Sequence, residues 1–267
     1  MPVLCANGVL CYKEVAEICE DDYLLLKKAV SFEYESDSKG YLTGLYYGDG
    51  SVRNKGAVLY FSMKEHALFE HALKLTRSLG WYRRDYVKEF RVPYRSAVRV
   101  IDLNREAREY FDRFVGWPKL DYLSDEWLES SSNWKASFVK GLYDADGGYQ
   151  GRTLSLASVR VNFVKELQHQ MLGLGIVSHR ANQVVRGFGV ESVVARLNIS
   201  GNSSYANFRK IGLTEPAKRE KLYRSEGVGS KDKQYPKELS VGLREGLGSV
   251  GKQAVSWTPF LYDHWVS

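Results

Sequence analysis

Hydrophobic and polar residues alternate along this chain with two periods, which follow one another in a fixed order. After Gly50, the residues SVRNKGAVLYFSMK have the pattern of two strands around an Asn-Lys-Gly turn. The next segment, EHALFEHALKLTRSLG, has helical spacing and ends at Gly80, a residue type common at helix C-termini. Two strands and a helix follow in WYRRDYVKEFRV, SAVRVIDL and REAREYFDRF. With the apolar segment before Gly50, this half of the chain predicts the order αββαββα.

The same order returns after Gly147. A strand pair is predicted in GYQGRTLSLAS, and a helix ending at Gly175 in VNFVKELQHQMLGLG. Strands in IVSHRANQVVRGF and ESVVARLNIS and a helix in NSSYANFRKIG complete the series. Matching elements at a fixed offset indicate an internal repeat. The sequence therefore predicts an α+β fold with tandem pseudo-symmetric αββαββα repeats, at residues 36–117 and 133–224.

The other segments lie around these two repeats. Residues 118–132, with Pro118 and a serine run, are the predicted linker, and residues 225–267 are a C-terminal tail. Residues 1–35 form an acidic N-terminal arm, in which 12–31 has the pattern of one or two amphipathic helices. Residues 217–237 carry seven basic side chains against three acidic ones, which predicts either a strap that contacts phosphates or a linker.

Composition and charge narrow the class of protein. Of the 267 residues, 44% are hydrophobic and 26% charged, as in ordinary globular proteins, and the apolar runs are too short to span a bilayer. The N-terminus lacks the features of a secretory signal, and three cysteines clustered in the first twenty residues argue against a disulfide framework. We therefore expect no membrane partner and a cytoplasmic (nucleoid-associated) or organellar protein that is not secreted.

The net charge of +6 is unevenly distributed. Residues 1–38 carry three lysines against eight acidic residues, a net −5, so the remaining 229 residues hold +11. A basic body is typical of a protein with a polyanionic partner. A solvated surface without a partner is the alternative, and charge alone does not decide between them.

A short motif heads each repeat. Gly-Leu-Tyr-x-x-Asp-Gly occurs at 44–50 and again at 141–147. Within it, small residues lie four positions apart on a predicted helix, at Gly44 and Gly48 and at Gly141 and Ala145. Glycine inside a helix costs about 1 kcal/mol relative to alanine, so a compensating gain is needed. Close packing of the two motif helices, side by side and in parallel, would supply it.

Parallel packing would bring Asp49 and Asp146 together where the two helices end. An acidic residue at a helix C-terminus is unfavourable by roughly 0.3–1 kcal/mol, because the dipole there is already negative. Two such carboxylates repel each other unless divalent cations lie between them. The repeated aspartate therefore predicts a metal site.

The segments LTGLYYGDG and VKGLYDADG resemble the two motifs of LAGLIDADG homing endonucleases in their single-chain form. The resemblance covers residues 36–224 and includes the element order after each motif. It implies two four-stranded antiparallel saddle sheets that hold a long DNA site, with the motif helices packed at the centre. It also implies that each strand is cut with Mg²⁺, or with another divalent cation such as Mn²⁺ or Ca²⁺ in a crystal.

The resemblance assigns roles to individual residues. The catalytic and metal-binding acid of each motif falls on Asp49 and Asp146, with Gly48 and Ala145 beside them as further metal ligands. Lys64 ends its predicted strand near the implied cleavage centre. There it would either stabilise charge on a phosphate or make an ordinary phosphate or solvent contact.

Two motif positions, Tyr47 and Lys140, depart from the family pattern. Tyr47 replaces an acidic residue, and its counterpart Asp144 therefore has no acidic equivalent in the first motif. We interpret Asp144 as structural. Lys140 replaces a small residue, which predicts either a looser helix interface or a side chain whose stem reaches solvent.

Half-polar strands supply the candidate DNA contacts. In VVARLNIS, Arg196 and Asn198 alternate with apolar residues, and in AVLYFSMK, Tyr60 and Ser62 do so. A plain solvated sheet is the alternative, but these side chains suit contacts to base edges and phosphates. Arg99 and Arg196 are expected at equivalent places in the repeats. The full predicted set is Arg53, Tyr60, Ser62, Lys64, Arg83, Arg99, Tyr149, Gln150, Arg152, Ser155, Arg180, Asn182, Arg186, Arg196 and Asn198.

These features predict a monomeric, site-specific homing endonuclease that hydrolyses both strands of double-stranded DNA. Two alternatives share the fold: an intron RNA maturase with little or no cleavage, and a DNA-binding regulator with an inactive site. The aspartate retained in both motifs favours the nuclease.

Overall fold

The computed structural model describes residues 2–4, 10–12, 14–17, 19, 23–24, 33–90, 96–187, 190–199 and 201–224. Residues 32–228 form one compact unit, and the described residues before them belong to a second unit.

The N-terminal unit contains short strands. Strands β1 (Pro2–Leu4), β2 (Leu10–Tyr12) and β3 (Tyr23–Leu24) form an antiparallel sheet in the order β2-β1-β3. Between β2 and β3, residues Val15–Glu17 form one turn of 3₁₀ helix. The amphipathic helices predicted for 12–31 are therefore wrong where this segment is described, because the backbone of β3 pairs with β1 instead. Short apolar runs fit either period, which is why the pattern misleads here.

The larger unit contains both repeats. The first comprises α1 (Ser38–Asp49), β4 (Gly50–Arg53), β5 (Gly56–Ser62), α2 (His66–Ser78), β6 (Tyr82–Phe90), β7 (Ser96–Leu103) and α3 (Arg105–Phe114). After α4 (Asp125–Glu129), the second comprises α5 (Ser132–Ala145), β8 (Gly147–Gln150), β9 (Thr153–Ser158), α6 (Val161–Gly173), β10 (Ser178–Gly187), β11 (Val190–Ile199) and α7 (Asn202–Ile211). Helix α8 (Pro216–Arg224) follows. None of these described helices is long and apolar enough to cross a bilayer.

The two sheets have the same topology. Their strand orders are β4-β5-β7-β6 and β8-β9-β11-β10, and all neighbouring strands are antiparallel. One face of each sheet is apolar and packs on the helices, with buried residues such as Leu59 and Ile101 in the first sheet and Leu156 and Leu197 in the second. The predicted α+β fold with two αββαββα repeats is confirmed.

Matching glycines end the second helix of each repeat. Gly80 and Gly175 have φ values of +70° and +68°, which residues with a side chain rarely adopt. The turn is closed by a bond from the Trp81 N–H to the Thr76 carbonyl at 2.9 Å, and the second repeat has the equivalent bond at 2.9 Å. Both ends are therefore Schellman motifs, and both helices end at the glycines that the sequence predicts.

Two segments are more helical than the sequence predicts. The linker contains α4, whose N-cap Ser124 accepts a hydrogen bond from the Trp127 N–H at 3.2 Å, and the Trp127 ring is buried in the core. The segment predicted as a strap or linker at 217–237 begins in α8, which is anchored by the buried Leu222. Residues 225–267, including the rest of that segment and the predicted tail, lie outside the described residues.

The motif helices α1 and α5 pack backbone to backbone. A Cβ added to Gly44 would lie 2.1 Å from the Phe138 carbonyl oxygen, and one added to Gly141 would lie 2.1 Å from that of Tyr41. Gly40, one turn earlier on α1, faces Trp134, one turn earlier on α5. The contacts advance along both helices in the same direction, so the helices are parallel and their C-termini coincide.

Replacing Gly44 by alanine should destabilise the protein by about 3 kcal/mol. The new methyl group would meet a backbone oxygen, so the two helices would have to separate. Gly173→Ala is the matched control, because a Cβ at this helical position meets nothing within 4 Å. That variant should be neutral or slightly more stable than the parent. Urea unfolding measures both changes, and equal stability of the two variants would contradict the close packing.

Candidate catalytic centre and nucleic-acid interface

The two aspartates lie where the motif helices end. Asp49 is the last residue of α1, and Asp146 is the C-cap of α5. A Cβ on Gly48 would lie 2.5 Å from the Cβ of Ala145 and 3.2 Å from Oδ2 of Asp146. Because Gly48 has no side chain, space remains beside it, and the Asp146 carboxylate faces this space. The structure brings these four predicted metal ligands together, and their metal role stays a prediction.

Two lysines that the sequence analysis missed cap the same helix ends. The Lys119 ammonium group donates to the carbonyl oxygens of Tyr47 at 2.6 Å and Gly48 at 2.9 Å. In the second repeat, the Lys218 ammonium group donates to the carbonyl oxygen of Asp144 at 2.6 Å. A cation at a helix C-terminus satisfies carbonyl groups that lack an intrahelical partner and opposes the negative end of the dipole. Each lysine follows the last helix of its repeat, but no sequence signal shows that this position reaches the end of a motif helix.

Burial and charge shift the pKa values in this centre. Burial raises the pKa of Asp49 to about 6, and the negative charge of Asp146 adds to the effect. Lost hydration also raises the pKa of Asp146, although Lys119, Lys218 and Arg160 oppose the shift. Burial lowers the pKa of Lys119 to about 8, assisted by the charge of Arg160. The centre therefore holds two destabilised carboxylates among three cations.

The donor set fits a hard divalent cation. Carboxylate oxygens are the ligands that Mg²⁺ and Ca²⁺ prefer, and the Asp49–Asp146 pair carries negative charge that a cation would neutralise. The nearby carbonyl oxygens of Gly48 and Ala145 accept bonds from Lys119 at 2.9 Å and Lys218 at 3.5 Å. Among the described residues, His, Cys, Asp and Glu form no cluster of three or more that could hold a metal. The candidate metal site therefore rests on the two carboxylates.

Replacing Asp49 by asparagine should stabilise the metal-free protein. The folded-state pKa of about 6 lies above the ordinary value of 3.8, so ionisation of Asp49 lowers the free energy of unfolding as the pH rises from about 4, and the full loss is reached above pH 6. The difference corresponds to about 2–3 kcal/mol at pH 7.5 and disappears near pH 4. Urea unfolding in EDTA should give the variant a higher free energy of unfolding than the parent at pH 7.5 and the same value at pH 4. A gap independent of pH would contradict this origin.

Asp144 lies away from the centre. Its side chain is fully buried, and its carboxylate accepts hydrogen bonds from the Tyr41 hydroxyl and the Thr214 N–H, both at 2.9 Å. These contacts agree with the structural interpretation of this residue. Lys140 is half-buried, with its ammonium group 5.7 Å from the centre of the Tyr41 ring, and burial lowers its pKa.

In the second sheet, one face carries predicted nucleic-acid contacts. The register pairs Arg196 with Ala157 and Asn198 with Ser155, which places Ser155 and both β11 side chains on the face opposite the buried Leu197. Gln150 shares that face at the end of β8. The Nε of Arg196 and the Oδ1 of Asn198 are buried and have no hydrogen-bond partner within the described part of the chain. Such unsatisfied groups are rare, and a bound ligand would account for them.

In the first sheet, the corresponding face carries an arginine pair that the sequence analysis identified only in part. The Asp102 carboxylate lies 2.7 Å from the Nε of Arg84 and 3.7 Å from a terminal nitrogen of Arg53. Both guanidinium groups also lie over the Tyr86 ring, at 5.3 and 5.6 Å from its centre. The predicted residue Tyr60 shares this face, because it pairs with Val100, the partner of Tyr86. Ser62 also shares it, two residues further along β5. Asp102 therefore holds two cations on the face that carries the predicted contacts Tyr60 and Ser62.

The placement predicted for Arg99 is corrected. Leu59 pairs with Ile101, and its equivalent Leu156 pairs with Leu197, so Arg196 corresponds to Val100 rather than to Arg99. A shift of one residue moves a side chain to the other face of a sheet. The Arg99 guanidinium accordingly contacts α2, 4.7 Å from the Phe69 ring centre and 3.7 Å from a carboxylate oxygen of Glu70.

Three residues of the second sheet are corrected for the same reason. Tyr149, Arg180 and Asn182 share the helix-packed face, since they pair with the buried residues Leu154, Leu197 and Ala195. The Tyr149 hydroxyl donates to the Lys218 carbonyl at 3.3 Å, and Arg180 donates to Asn182 at 3.3 Å. Their side chains therefore face away from the surface that carries Arg196.

The remaining predicted contacts lie at strand ends and turns. Lys64 is exposed in the turn after β5, and the cations whose charges act on the Asp146 carboxylate are Lys119, Lys218 and Arg160. Arg83 is exposed at an irregularity of β6, and Arg152 is exposed in the β8–β9 turn. Arg186 lies on β10, but its side chain is outside the described residues. The roles of these four stay predictions.

A family model matches the second repeat. Residues 133–212 match the model described as LAGLIDADG-like domain. The first repeat has the same order of helices and strands, and its motif helix packs in parallel on that of the second. The second repeat is therefore similar to a LAGLIDADG-like domain.

Individual relatives are distant. The replication factor C small subunit of Thermococcus kodakarensis is 23% identical over 228 residues, which cover 82% of this chain and 24% of the relative. The chain thus spans about a quarter of the length of that relative. I-DmoI in complex with DNA and Ca is 15% identical over 70% of this chain and 97% of that chain, with a TM-score of 0.48. The N-terminal LAGLIDADG domain of DUF199/WhiA is 12% identical over 70% and 86%, with a TM-score of 0.43.

Proposed function

We propose that this protein is a site-specific endonuclease for double-stranded DNA that acts as a monomer. The observation that carries the proposal is the convergence of Asp49 and Asp146 at the ends of two parallel helices of one chain. Each repeat then adds a sheet with a polar face beside one of these helices. One chain therefore holds two carboxylates and two binding surfaces. This number is sufficient for a monomer to act on both strands of a DNA duplex.

The residues of the centre and of the sheets have different roles in this proposal. Asp49 and Asp146 would hold the divalent cation, Mg²⁺ in our proposal, which when bound neutralises phosphate charge and lowers the pKa of water. Lys119 and Lys218 place two more positive charges beside the carboxylates, where charge develops on a phosphate during hydrolysis. Arg53, Arg84, Arg196 and Asn198 would fix the duplex over the centre through phosphates and base edges.

A second candidate function is a nucleic-acid-binding protein that does not cut. The observation in its favour is that Lys119 and Lys218 oppose the two aspartates by charge and bond the carbonyl oxygens of Gly48 and Ala145. With Arg160, they supply three positive charges against the two aspartates, so the centre does not need a metal for charge balance. A regulator and an intron RNA maturase would both fit this electrostatic arrangement.

Cleavage of a plasmid library separates these functions. Supercoiled plasmids that carry long random inserts are incubated with the full-length protein in Mg²⁺, in Ca²⁺ and in EDTA. The proposed nuclease should linearise a small subset of inserts in Mg²⁺ only. Retention of selected duplexes in Ca²⁺ without linear product in Mg²⁺ would favour the non-cleaving protein, and splicing of a host intron would favour the maturase.

A further inference from the structure

We infer that Tyr47 and Asp144, which occupy the same position in the two motifs, are positioning residues for Lys119 and Lys218. Each fixes the backbone segment that carries the lysine of its own repeat. The consequence for cleavage rests on the proposed endonuclease function, whereas the positioning itself does not.

In the first repeat, Tyr47 fixes the residue next to the lysine. Its hydroxyl donates to the Leu120 carbonyl at 2.9 Å, and Lys119 immediately precedes Leu120. The Tyr47 ring is buried and stacks on Phe163, with ring centres 4.0 Å apart and planes inclined by 17°. Arg160, which lies over the same ring, donates to the Lys119 carbonyl at 3.3 Å. The hydroxyl is therefore held by ring packing, and the segment at 119–120 is held by the hydroxyl.

In the second repeat, Asp144 fixes the backbone that leads into α8. One carboxylate oxygen accepts from the Thr214 N–H at 2.9 Å, and the other accepts from the Tyr41 hydroxyl at 2.9 Å. That hydroxyl also bonds the Thr214 side-chain oxygen at 3.0 Å, which closes a small network. Helix α8 begins two residues later and carries Lys218 in its first turn. Anchoring Thr214 therefore places the Lys218 ammonium group at the end of α5.

The two residue types differ because the two backbone groups differ. The first segment presents a carbonyl oxygen, so a donor is needed, and the Tyr47 hydroxyl supplies one. The second segment presents an N–H group, so an acceptor is needed, and the Asp144 carboxylate supplies one. This difference explains why the first motif lacks the acidic residue that the second motif has.

Lysine labelling tests the positioning without any substrate. The full-length protein and its variants are exposed briefly to an amine-acetylating reagent at pH 7.5, and modification of each lysine is measured by mass spectrometry. Tyr47→Phe should raise the labelling rate of Lys119 about fivefold, the factor for a typical hydrogen bond, and leave Lys218 unchanged. Asp144→Ala should raise the labelling rate of Lys218 by a similar factor and leave that of Lys119 unchanged. The exposed Lys74 on α2 serves as the internal reference.

Two further variants control for packing and charge. Tyr46→Phe removes a buried neighbouring hydroxyl that has no hydrogen-bond partner within the described residues, so both lysines should stay protected. Asp144→Asn keeps an oxygen for the Thr214 N–H and should restore most of the protection of Lys218. Equal increases at both lysines in each variant would show general loosening and overturn the inference, as would no increase at all.

The plasmid assay then tests the consequence for cleavage. Tyr47→Phe and Asp144→Ala should each slow the cut in one strand, so nicked circles should accumulate while binding in Ca²⁺ is unchanged. Selective labelling with a parent protein that never cuts would leave the positioning intact and overturn the endonuclease proposal. A parent that cuts, with both variants cutting both strands at the parental rate, would overturn the cleavage part of the inference.

Discussion

Replacing Asp49 or Asp146 by asparagine should reduce DNA cleavage by at least a factor of about 10², with DNA binding largely kept. An amide is a much poorer ligand than a carboxylate for a hard divalent cation, and each aspartate supplies one of the two carboxylates in the centre. Binding is kept because the proposed contacts to the duplex lie on the sheet faces, at residues such as Arg196 and Arg84.

The measurement compares single-turnover cleavage in Mg²⁺ with duplex affinity in Ca²⁺, on an insert selected by the parent. Asp85→Asn is the matched control, because this exposed carboxylate lies on the other face of the first sheet and pairs with Arg77 at 3.8 Å. It should cut at the parental rate. If Asp49→Asn and Asp146→Asn also cut at that rate, the repeated motif is only a device for helix packing.

The repeat architecture could be predicted because its signals are local. Gly80 and Gly175 end equivalent helices by a backbone geometry that a single residue specifies. The packing role of Gly44 and Gly141 can be predicted from spacing alone. Each has another small residue four positions later, and two small residues at this spacing form a flat stripe on a helix. Such features need no knowledge of the rest of the chain.

The cations of the centre could not be predicted because they reach it through distant contacts. Lys119 is far along the chain from the carbonyl groups it bonds, in a linker without periodicity, and Lys218 lies in a segment with no clear pattern. The sequence instead predicts Lys64 as a cation near the centre, because it ends a strand that the hydrophobic pattern identifies. Only the fold shows which cations converge on Asp49 and Asp146.

The faces of the strands could be predicted only where the register was unambiguous. Arg196 alternates with buried Ala195 and Leu197, so its face follows from its neighbours. The sequence predicts Arg99 and Arg196 at equivalent places, but the register is shifted by one residue, which puts Arg99 on the other face of its sheet. The face on which such a side chain lies depends on the hydrogen-bond register between strands, and the sequence of one strand does not determine that register.

Affinity for the selected duplex should fall steeply with salt. If the basic body contacts 6 to 10 phosphates, the association constant should drop by about 10³–10⁵ between 50 and 200 mM salt, because bound counterions are released from DNA. Fluorescence anisotropy across a salt series in Ca²⁺ measures the slope. A flat response would mean that the charge of +11 outside residues 1–38 is not on the binding surface.

Two arginines distinguish the faces within that salt series. Arg196→Gln removes a cation from the face opposite the helices, so affinity should fall and the slope of log affinity against log salt should become shallower by about 0.9. Arg99→Gln is the matched control, since Arg99 is engaged by Phe69 and Glu70 on the packed face, and its slope should equal that of the parent. The opposite result, a shallower slope for Arg99→Gln alone, would place the nucleic acid on the helix side of the sheets. Equal slopes for all three proteins would remove Arg196 from the interface, and its unpaired Nε would then need another partner.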